Sequence, residues 1–130
     1  MLNGIIPSSW QPQLHAALRI MTGLLFLEHG TSKLLHWPVS AGDQPLSPLM
    51  LAAGVFELVG GLMVTVGFFT RYAAFVLAGE MAVAYFIAHM PNSIYPLANH
   101  GEAAILFCFI FLFLASAGAG PYSVDDSRKS

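Results

Sequence analysis

The chain has few charged residues. Only 9% of its 130 residues are Asp, Glu, Lys or Arg, whereas soluble domains contain about 25%. The net charge is −2, and without a Lys/Arg cluster the sequence gives no support for nucleic-acid binding. Residues of hydrophobic type make up 56% of the chain, more than one small soluble core can bury. The composition therefore indicates an integral membrane protein in contact with the lipid bilayer.

The chain also has little cysteine. Its single cysteine, Cys108, lies inside an apolar run. One thiol cannot form an intramolecular disulfide, so cysteine usage does not indicate a redox compartment. We interpret Cys108 as a small buried hydrophobic residue.

Four long apolar segments are separated by shorter stretches. The first and third of these stretches contain proline, and the second, Phe69-Thr70-Arg71, follows Gly67. Each segment has about 18 to 23 residues, which matches the span of a hydrocarbon core roughly 30 Å thick. The sequence predicts an all-α fold, an integral membrane four-helix bundle, with residues 1–130 as a single domain. The predicted helices cover residues 14–36, 49–68, 72–90 and 100–117, and residues 118–130 form a polar C-terminal tail.

Ionisable residues inside these segments are the main functional signal. Each costs roughly 2.5 kcal/mol or more at the centre of a bilayer, so such residues usually have a role. Counted along each helix, Glu57 and Glu80 fall near the midplane, while Lys33, His89 and Glu102 fall in the outer third. We therefore predict a polar site in the outer half of the bundle, on the first, third and fourth segments, with His29 slightly deeper.

Other interpretations of these residues stay open. Lys33 could pair with Glu102 or Glu28, and a protonated Glu57 or Glu80 could tie neighbouring helices together. Glu80 and His89 are nine residues apart, which places them on opposite sides of a straight helix. The Glu-x-x-His motif of di-iron bundles is absent, and no histidine pair suits a haem. We assign neither haem nor metal, although His89, His100 and Glu102 leave a metal site open.

Small residues indicate where the helices pack. Gly23 and Gly30 are two turns apart on the first segment, and Ala53, Glu57 and Gly61 follow at intervals of four on the second. Small side chains allow membrane helices to approach closely. We predict contacts between helices on these faces.

A set of motifs follows in order along the chain. They are Arg19 with Gly23, FLEHGTSKL with His29, Gly30 and Lys33, FELVGGLMVTVGFFTR with Glu57 and Arg71, then His89, Gly101-Glu102 and AGAGPYSVDD. This ordered set resembles the DoxX family of small bacterial membrane proteins. Two departures are Glu28, where we expect an apolar or aromatic residue, and Val124, where leucine is usual. The resemblance implies a membrane bundle and a link to redox chemistry, because similar proteins include a subunit associated with thiosulfate:quinone oxidation.

The sequence and the resemblance together favour a quinone-binding or redox-associated membrane component, such as a membrane subunit of a quinone-linked oxidoreductase. Lys33 and His89 would hydrogen-bond a quinone oxygen, Glu102 would accept or relay the proton, and His29 and Glu57 would complete the binding set. A redox partner protein and a homo-oligomer are expected partners. Two alternatives are a non-enzymatic scaffold for a soluble partner and a small-solute or proton pathway that uses Glu28, Glu57 and Glu80.

The basic residues predict the orientation. Arg19, Arg71, Arg128 and Lys129 lie at one side of the bundle, and only Lys33 lies near the other. Because cytoplasmic loops carry an excess of Lys and Arg, we predict that both termini are cytoplasmic. The membrane would be the bacterial inner membrane.

Overall fold

A computed structural model describes residues 4–42 and 44–128, and over these residues the chain is all-helical. Lys129, used above for the orientation, lies outside the described residues. The predicted all-α membrane bundle is confirmed in its class, with four principal helices and two helices of one turn each. The helices are α1 (Gln11–Leu35), α2 (Pro48–Val66), α3 (Thr70–Ala84), α4 (Pro96–Asn99), α5 (Glu102–Ala117) and α6 (Val124–Ser127).

Local sequence sets the helix ends. Pro48 occupies the first turn of α2, where its missing N–H is not needed, and the Ser47 hydroxyl accepts a hydrogen bond from the Met50 N–H at 3.2 Å. Gly67 ends α2 with a φ of 73°, a left-handed conformation that glycine adopts without strain. The short link that follows places α2 and α3 side by side.

Helix α3 continues past Ala84 in altered geometry. A π-helical turn covers Tyr85–His89, and a 3₁₀ turn covers Met90–Asn92. Such turns rotate the side chains that follow relative to a regular helix. The opposite placement of Glu80 and His89, which holds for a straight helix, therefore does not apply here.

Within residues 4–42 and 44–128, two helical segments are long and apolar enough to cross a membrane, Pro48–Val66 and Thr70–Asn92. Only 28% of the apolar window of each is buried, so most of their apolar residues face outward. That is the pattern of helices in contact with lipid rather than helices in the core of a soluble protein. Helix α1 has 25 residues but carries three charges, and α5 has 16 residues, about 24 Å of helix.

Glycines bring α1 and α2 together. A Cβ added at Gly30 would lie 2.6 Å from the Leu58 backbone nitrogen, and one added at Gly61 would lie 2.8 Å from the Leu27 backbone nitrogen. Real side chains never approach so closely, so both positions require glycine. The predicted packing role of Gly30 and Gly61 is confirmed.

Large rings fill the space between α1 and α5. Phe26 on α1 contacts Phe107 and Phe111 on α5, with ring centroids 5.3 and 4.9 Å apart. Phe26 and Phe111 are fully buried in the core, together with Leu77 and Leu114. The bundle therefore has close helix contacts between α1 and α2 and between α3 and α5, and a wider aromatic contact between α1 and α5.

Candidate functional site

A charged pair lies inside the bundle between α1 and α2. Lys33 Nζ is 2.5 Å from Glu57 Oε1, and the two side chains are 17% and 4% exposed. It is the one ion pair that the structure places among residues 4–42 and 44–128. Gly30, one turn before Lys33, allows the close backbone approach on which this pair depends.

A second carboxyl faces the same pair. Glu80 on α3 interacts electrostatically with both Glu57 and Lys33. Its Oε1 atom is buried and has no hydrogen-bond partner among the described residues. Lys33, Glu57 and Glu80, here called the charged cluster, thus combine one amine with two carboxyls. In a low-dielectric interior such a set is neutral when one carboxyl holds a proton.

His29 lies one turn before Lys33 on α1, and its side chain is exposed. Its ring packs edge to face against the Phe107 ring, with centroids 5.9 Å apart. The centroid of the Phe26 ring lies 6.4 Å from that of His29. No hydrogen bond to its ring nitrogens is found among the described residues. A cleft of about 140 Å³ adjoins it, lined by Glu28, His29, Ser32, Pro38 and Val39. His29 thus offers a free ring nitrogen beside an aromatic wall.

Lys33, His89 and Glu102, which the sequence predicts to form one site, have no contact with one another among the described residues. Lys33 pairs with Glu57, and neither Glu102 nor Glu28 is its partner. His89 Nδ1 is 3.0 Å from the Asn99 carbonyl oxygen. Glu102 is exposed at the first turn of α5, with no ion pair within the described part of the chain.

His89, at the end of the π-helical turn, is bonded to a hydrogen-bond network around Asn99 that sequence reasoning missed. The Asn99 side chain is 1% exposed. It donates to the Tyr85 hydroxyl at 3.1 Å and the Ser93 carbonyl at 2.9 Å, and accepts from the Gly101 N–H at 2.8 Å. The only sequence signal was an asparagine in a short loop, which is also typical of ordinary turns. The bond to the Asn99 carbonyl therefore makes His89 part of a network that holds the polypeptide between α3 and α5.

Arg19 is not a surface anchor, contrary to the orientation argument. It is fully buried, and it donates to the carbonyls of Ala119, Pro121 (3.1 Å) and Tyr122 (2.7 Å). The segment 118–128 therefore folds back onto α1 and is not a free polar tail. Buried carbonyls need donors, and Arg19 supplies them.

Two further residues hold the same end of the bundle. Arg71 donates to the carbonyls of Ala115 at 3.4 Å, Ser116, and Ala117 at 3.5 Å, at the C-terminus of α5. Asp125 accepts from the N–H groups of Phe69 and Thr70, each at 2.8 Å. The positive Arg71 thus lies at the negative C-terminal end of the α5 dipole, and the negative Asp125 lies at the positive N-terminal end of the α3 dipole. The signal for Asp125 was its acidic side chain in the DoxX-like ending.

Burial of Asp125 by itself raises the pKa of its carboxyl. Hydrogen bonds from Thr70 and Phe69 and attraction by Arg128 outweigh that effect and hold the pKa below its usual value. A carboxylate with a depressed pKa stabilises the fold above its unfolded-state pKa. The stabilisation is lost as the pH falls through the folded-state value.

We expect Asp125→Ala to lower the free energy of unfolding by about 1 to 2 kcal/mol at pH 7, because the start of α3 loses its acceptor. The difference in free energy of unfolding between the parent and the variant should be largest above about pH 5 and should decrease below about pH 4. Thermal unfolding in detergent across this range measures both effects. Asp126→Ala is the matched control, since the Asp126 carboxylate accepts no hydrogen bond among the described residues. Equal losses in the two variants would contradict the capping role.

A cavity lies at this end of the bundle, opposite to the predicted outer site. Its volume is about 1120 Å³. The end that contains residues 8–18, 68–72 and 113–128 is here called the inner end, and this space the inner cavity. Its lining includes Leu14, His15, Leu18, Phe69, Arg71, Tyr72, Phe113, Gly118, Asp125 and Asp126.

The fold and the charged cluster define the class: an all-α integral membrane protein with ionisable groups buried between its helices. The family model described as DoxX matches residues 14–90, and the chain belongs to the DoxX family. It is 42% identical to an uncharacterized protein of Haemophilus influenzae over 123 residues, 90% of this chain and 92% of that protein. It is 25% identical to an uncharacterized membrane protein of Mycobacterium tuberculosis over 149 residues, 95% of this chain and 91% of the relative. No solved structure matches the chain.

Proposed function

We propose that the protein is a quinone-binding membrane component of a redox system, with the quinone headgroup held beside His29 in the cleft that Ser32, Pro38 and Val39 also line. The observation that carries the proposal is the exposed His29 ring, packed on Phe107 and one turn from the charged cluster. A neutral headgroup with an apolar tail needs a hydrogen-bond donor beside apolar walls. His29 and the aromatic side chains meet that need.

Each residue has a distinct part in this proposal. The His29 ring donates a hydrogen bond to one quinone oxygen, while Phe26 and Phe107 exclude water from that side. The charged cluster holds one exchangeable proton in the membrane interior, and Lys33 is the member nearest to His29 along α1. When bound, the quinone supplies two-electron redox chemistry. The proposal gives no part to His89 and Glu102, because neither contacts Lys33 among the described residues.

Quinone titration of the purified protein in detergent, followed by tryptophan fluorescence, tests the proposal. We expect the parent to bind a short-chain quinone and His29→Ala to bind it about tenfold more weakly, the effect of one hydrogen bond. His36→Ala is the matched control, because His36 is an exposed α1-terminal histidine that is bonded only to Ser40 among the described residues. No binding by the parent, or equal loss in both variants, would overturn the proposal.

A second candidate is a proton pathway, which the two carboxyls facing Lys33 favour. Intramembrane carboxyls commonly mark proton relays. Proton flux into proteoliposomes that depends on Glu80, in a protein that binds no quinone, would select this candidate over the first. The short loops offer little surface for the scaffold alternative.

The proposal includes an inner-membrane location with both termini in the cytoplasm. Arg71 and Arg128 support this orientation, since both lie at the inner end. Arg19 does not count, because it is buried and bonded to carbonyls. A redox partner protein would dock at one of the two membrane surfaces.

A further inference from the structure

The inner cavity carries charges that the protein does not neutralise. Arg71 donates only to backbone carbonyls, and no carboxylate pairs with it among the described residues. Asp126 also lines the cavity, and its carboxylate has no cationic partner within the described part of the chain. Asp125, by contrast, is occupied by the start of α3. The cavity wall therefore presents one guanidinium that has no carboxylate partner, at Arg71, and one carboxylate that has no cationic partner, at Asp126, among the described residues.

The remaining walls are apolar and continuous with the outward-facing surface of the bundle. Leu14, Leu18, Tyr72 and Phe113 line the cavity and are 46%, 39%, 76% and 49% exposed. Aromatic side chains such as Tyr72 are typical of the membrane–water interface. A ligand in this position would have its polar group among the charges and its apolar part along the lipid-facing helices.

We propose that the inner cavity binds a phospholipid whose headgroup contains both a phosphate and a primary ammonium, the phosphatidylethanolamine class. Arg71 pairs with the phosphate, and Asp126 accepts hydrogen bonds from the ammonium. Leu14, Leu18 and Phe113 contact the acyl chains. A volume of about 1120 Å³ accommodates a headgroup with the first part of its chains. This lipid site is separate from the cleft at His29, and the lipid proposal does not depend on the quinone proposal.

The two charges predict that phosphatidylethanolamine binds more tightly than phosphatidylglycerol or phosphatidylcholine. Phosphatidylglycerol lacks the ammonium and would leave Asp126 beside an anionic lipid, which is repulsive. Phosphatidylcholine keeps the positive charge, but its quaternary nitrogen has no N–H to donate. Only the primary ammonium both neutralises Asp126 and hydrogen-bonds to it.

Native mass spectrometry of the delipidated, detergent-purified full chain, with each of the three lipids added in turn, tests the site. The parent should retain phosphatidylethanolamine about tenfold better than phosphatidylglycerol, the effect expected of one charge-assisted hydrogen bond. Asp126→Asn should remove this preference without preventing phospholipid binding, and Arg71→Gln should weaken retention of all three lipids. Arg128→Gln is the control, since Arg128 lies over Phe68 and Phe69 and does not line the cavity.

The alternatives give distinct results. Equal retention of the three lipids by the parent, or an unchanged preference in Asp126→Asn, would overturn the proposal. Glycerophosphoethanolamine, the headgroup without acyl chains, distinguishes a lipid from a soluble phosphate ester. If it competes as strongly as the intact lipid, the site recognises a soluble compound and the lipid assignment is wrong.

Discussion

Replacing both Glu57 and Glu80 by glutamine is expected to lower the free energy of unfolding by about 3 to 5 kcal/mol, the cost of a buried charge that has lost its partner. Either single replacement should cost about 1 kcal/mol, roughly one hydrogen bond, because the remaining carboxyl can still face Lys33. The double loss therefore exceeds the sum of the single losses. That non-additivity is the signature of two carboxyls sharing one amine.

Reversible unfolding of the four proteins in mixed detergent, followed by circular dichroism, measures this double-mutant cycle. The matched control is the pair Glu28→Gln and Glu102→Gln, because both carboxylates are exposed on α1 and α5. Their combined effect should stay within about 0.5 kcal/mol, as for most surface substitutions. If the loss of free energy of unfolding in the double variant equals the sum of the two single losses, Glu57 and Glu80 do not share Lys33 as a partner.

Gly30→Ala and Gly61→Ala are each expected to destabilise the protein by about 2 to 3 kcal/mol, in the range of overpacked cores. The added methyl group would lie 2.6 Å from the Leu58 backbone nitrogen in one case and 2.8 Å from that of Leu27 in the other. Backbone cannot move aside as a flexible side chain can, so α1 and α2 must separate. Separation also lengthens the distance between Lys33 and Glu57.

Gly79→Ala is the control for this series. Gly79 lies on α3, and a Cβ there would meet nothing within 4 Å. Because alanine favours a helix over glycine by about 0.5 to 1 kcal/mol, this variant should be as stable as the parent or slightly more so. The same unfolding measurement applies. Tolerance of alanine at Gly30 and Gly61 would contradict the close approach of the two helices.

Much of the fold follows from local patterns. Apolar segments of membrane-spanning length, interrupted at Pro48, Gly67 and Pro91, predict the helices within a few residues. Small residues at Gly30 and Gly61 predict a packed face, because a glycine contact is a property of one helix surface. These features depend on neighbouring residues along the chain, so sequence reasoning reaches them.

The grouping of the ionisable residues does not follow from such patterns. The position of a residue along its helix gives the membrane depth of its Cα atom, whereas its side chain slants toward the N-terminus of the helix. The long Lys33 side chain therefore reaches deeper than its Cα position, toward Glu57 instead of Glu102. The order of the helices around the bundle also decides which groups meet, and no local signal encodes that order.

The C-terminal segment shows the same limit. Its composition is polar, which is typical of a solvated tail, and Arg19 resembles an interfacial charge when it is considered alone. In the folded chain Arg19 binds the carbonyls of this segment, and Asp125 binds the start of α3. These contacts join residues about 55 to 100 positions apart, a separation at which periodicity carries no information.

By itself, then, the amino-acid sequence determined the class of this protein, the positions of its helices and the presence of costly charges within them. Only the tertiary structure decided that Lys33 meets Glu57 and Glu80, that the exposed His29 ring packs beside Phe107, and that a cavity of about 1120 Å³ lies at the inner end. The reason is physical. Transfer of apolar residues into lipid depends on each segment alone, whereas the pairing of buried charges depends on how the segments are rotated and placed against one another.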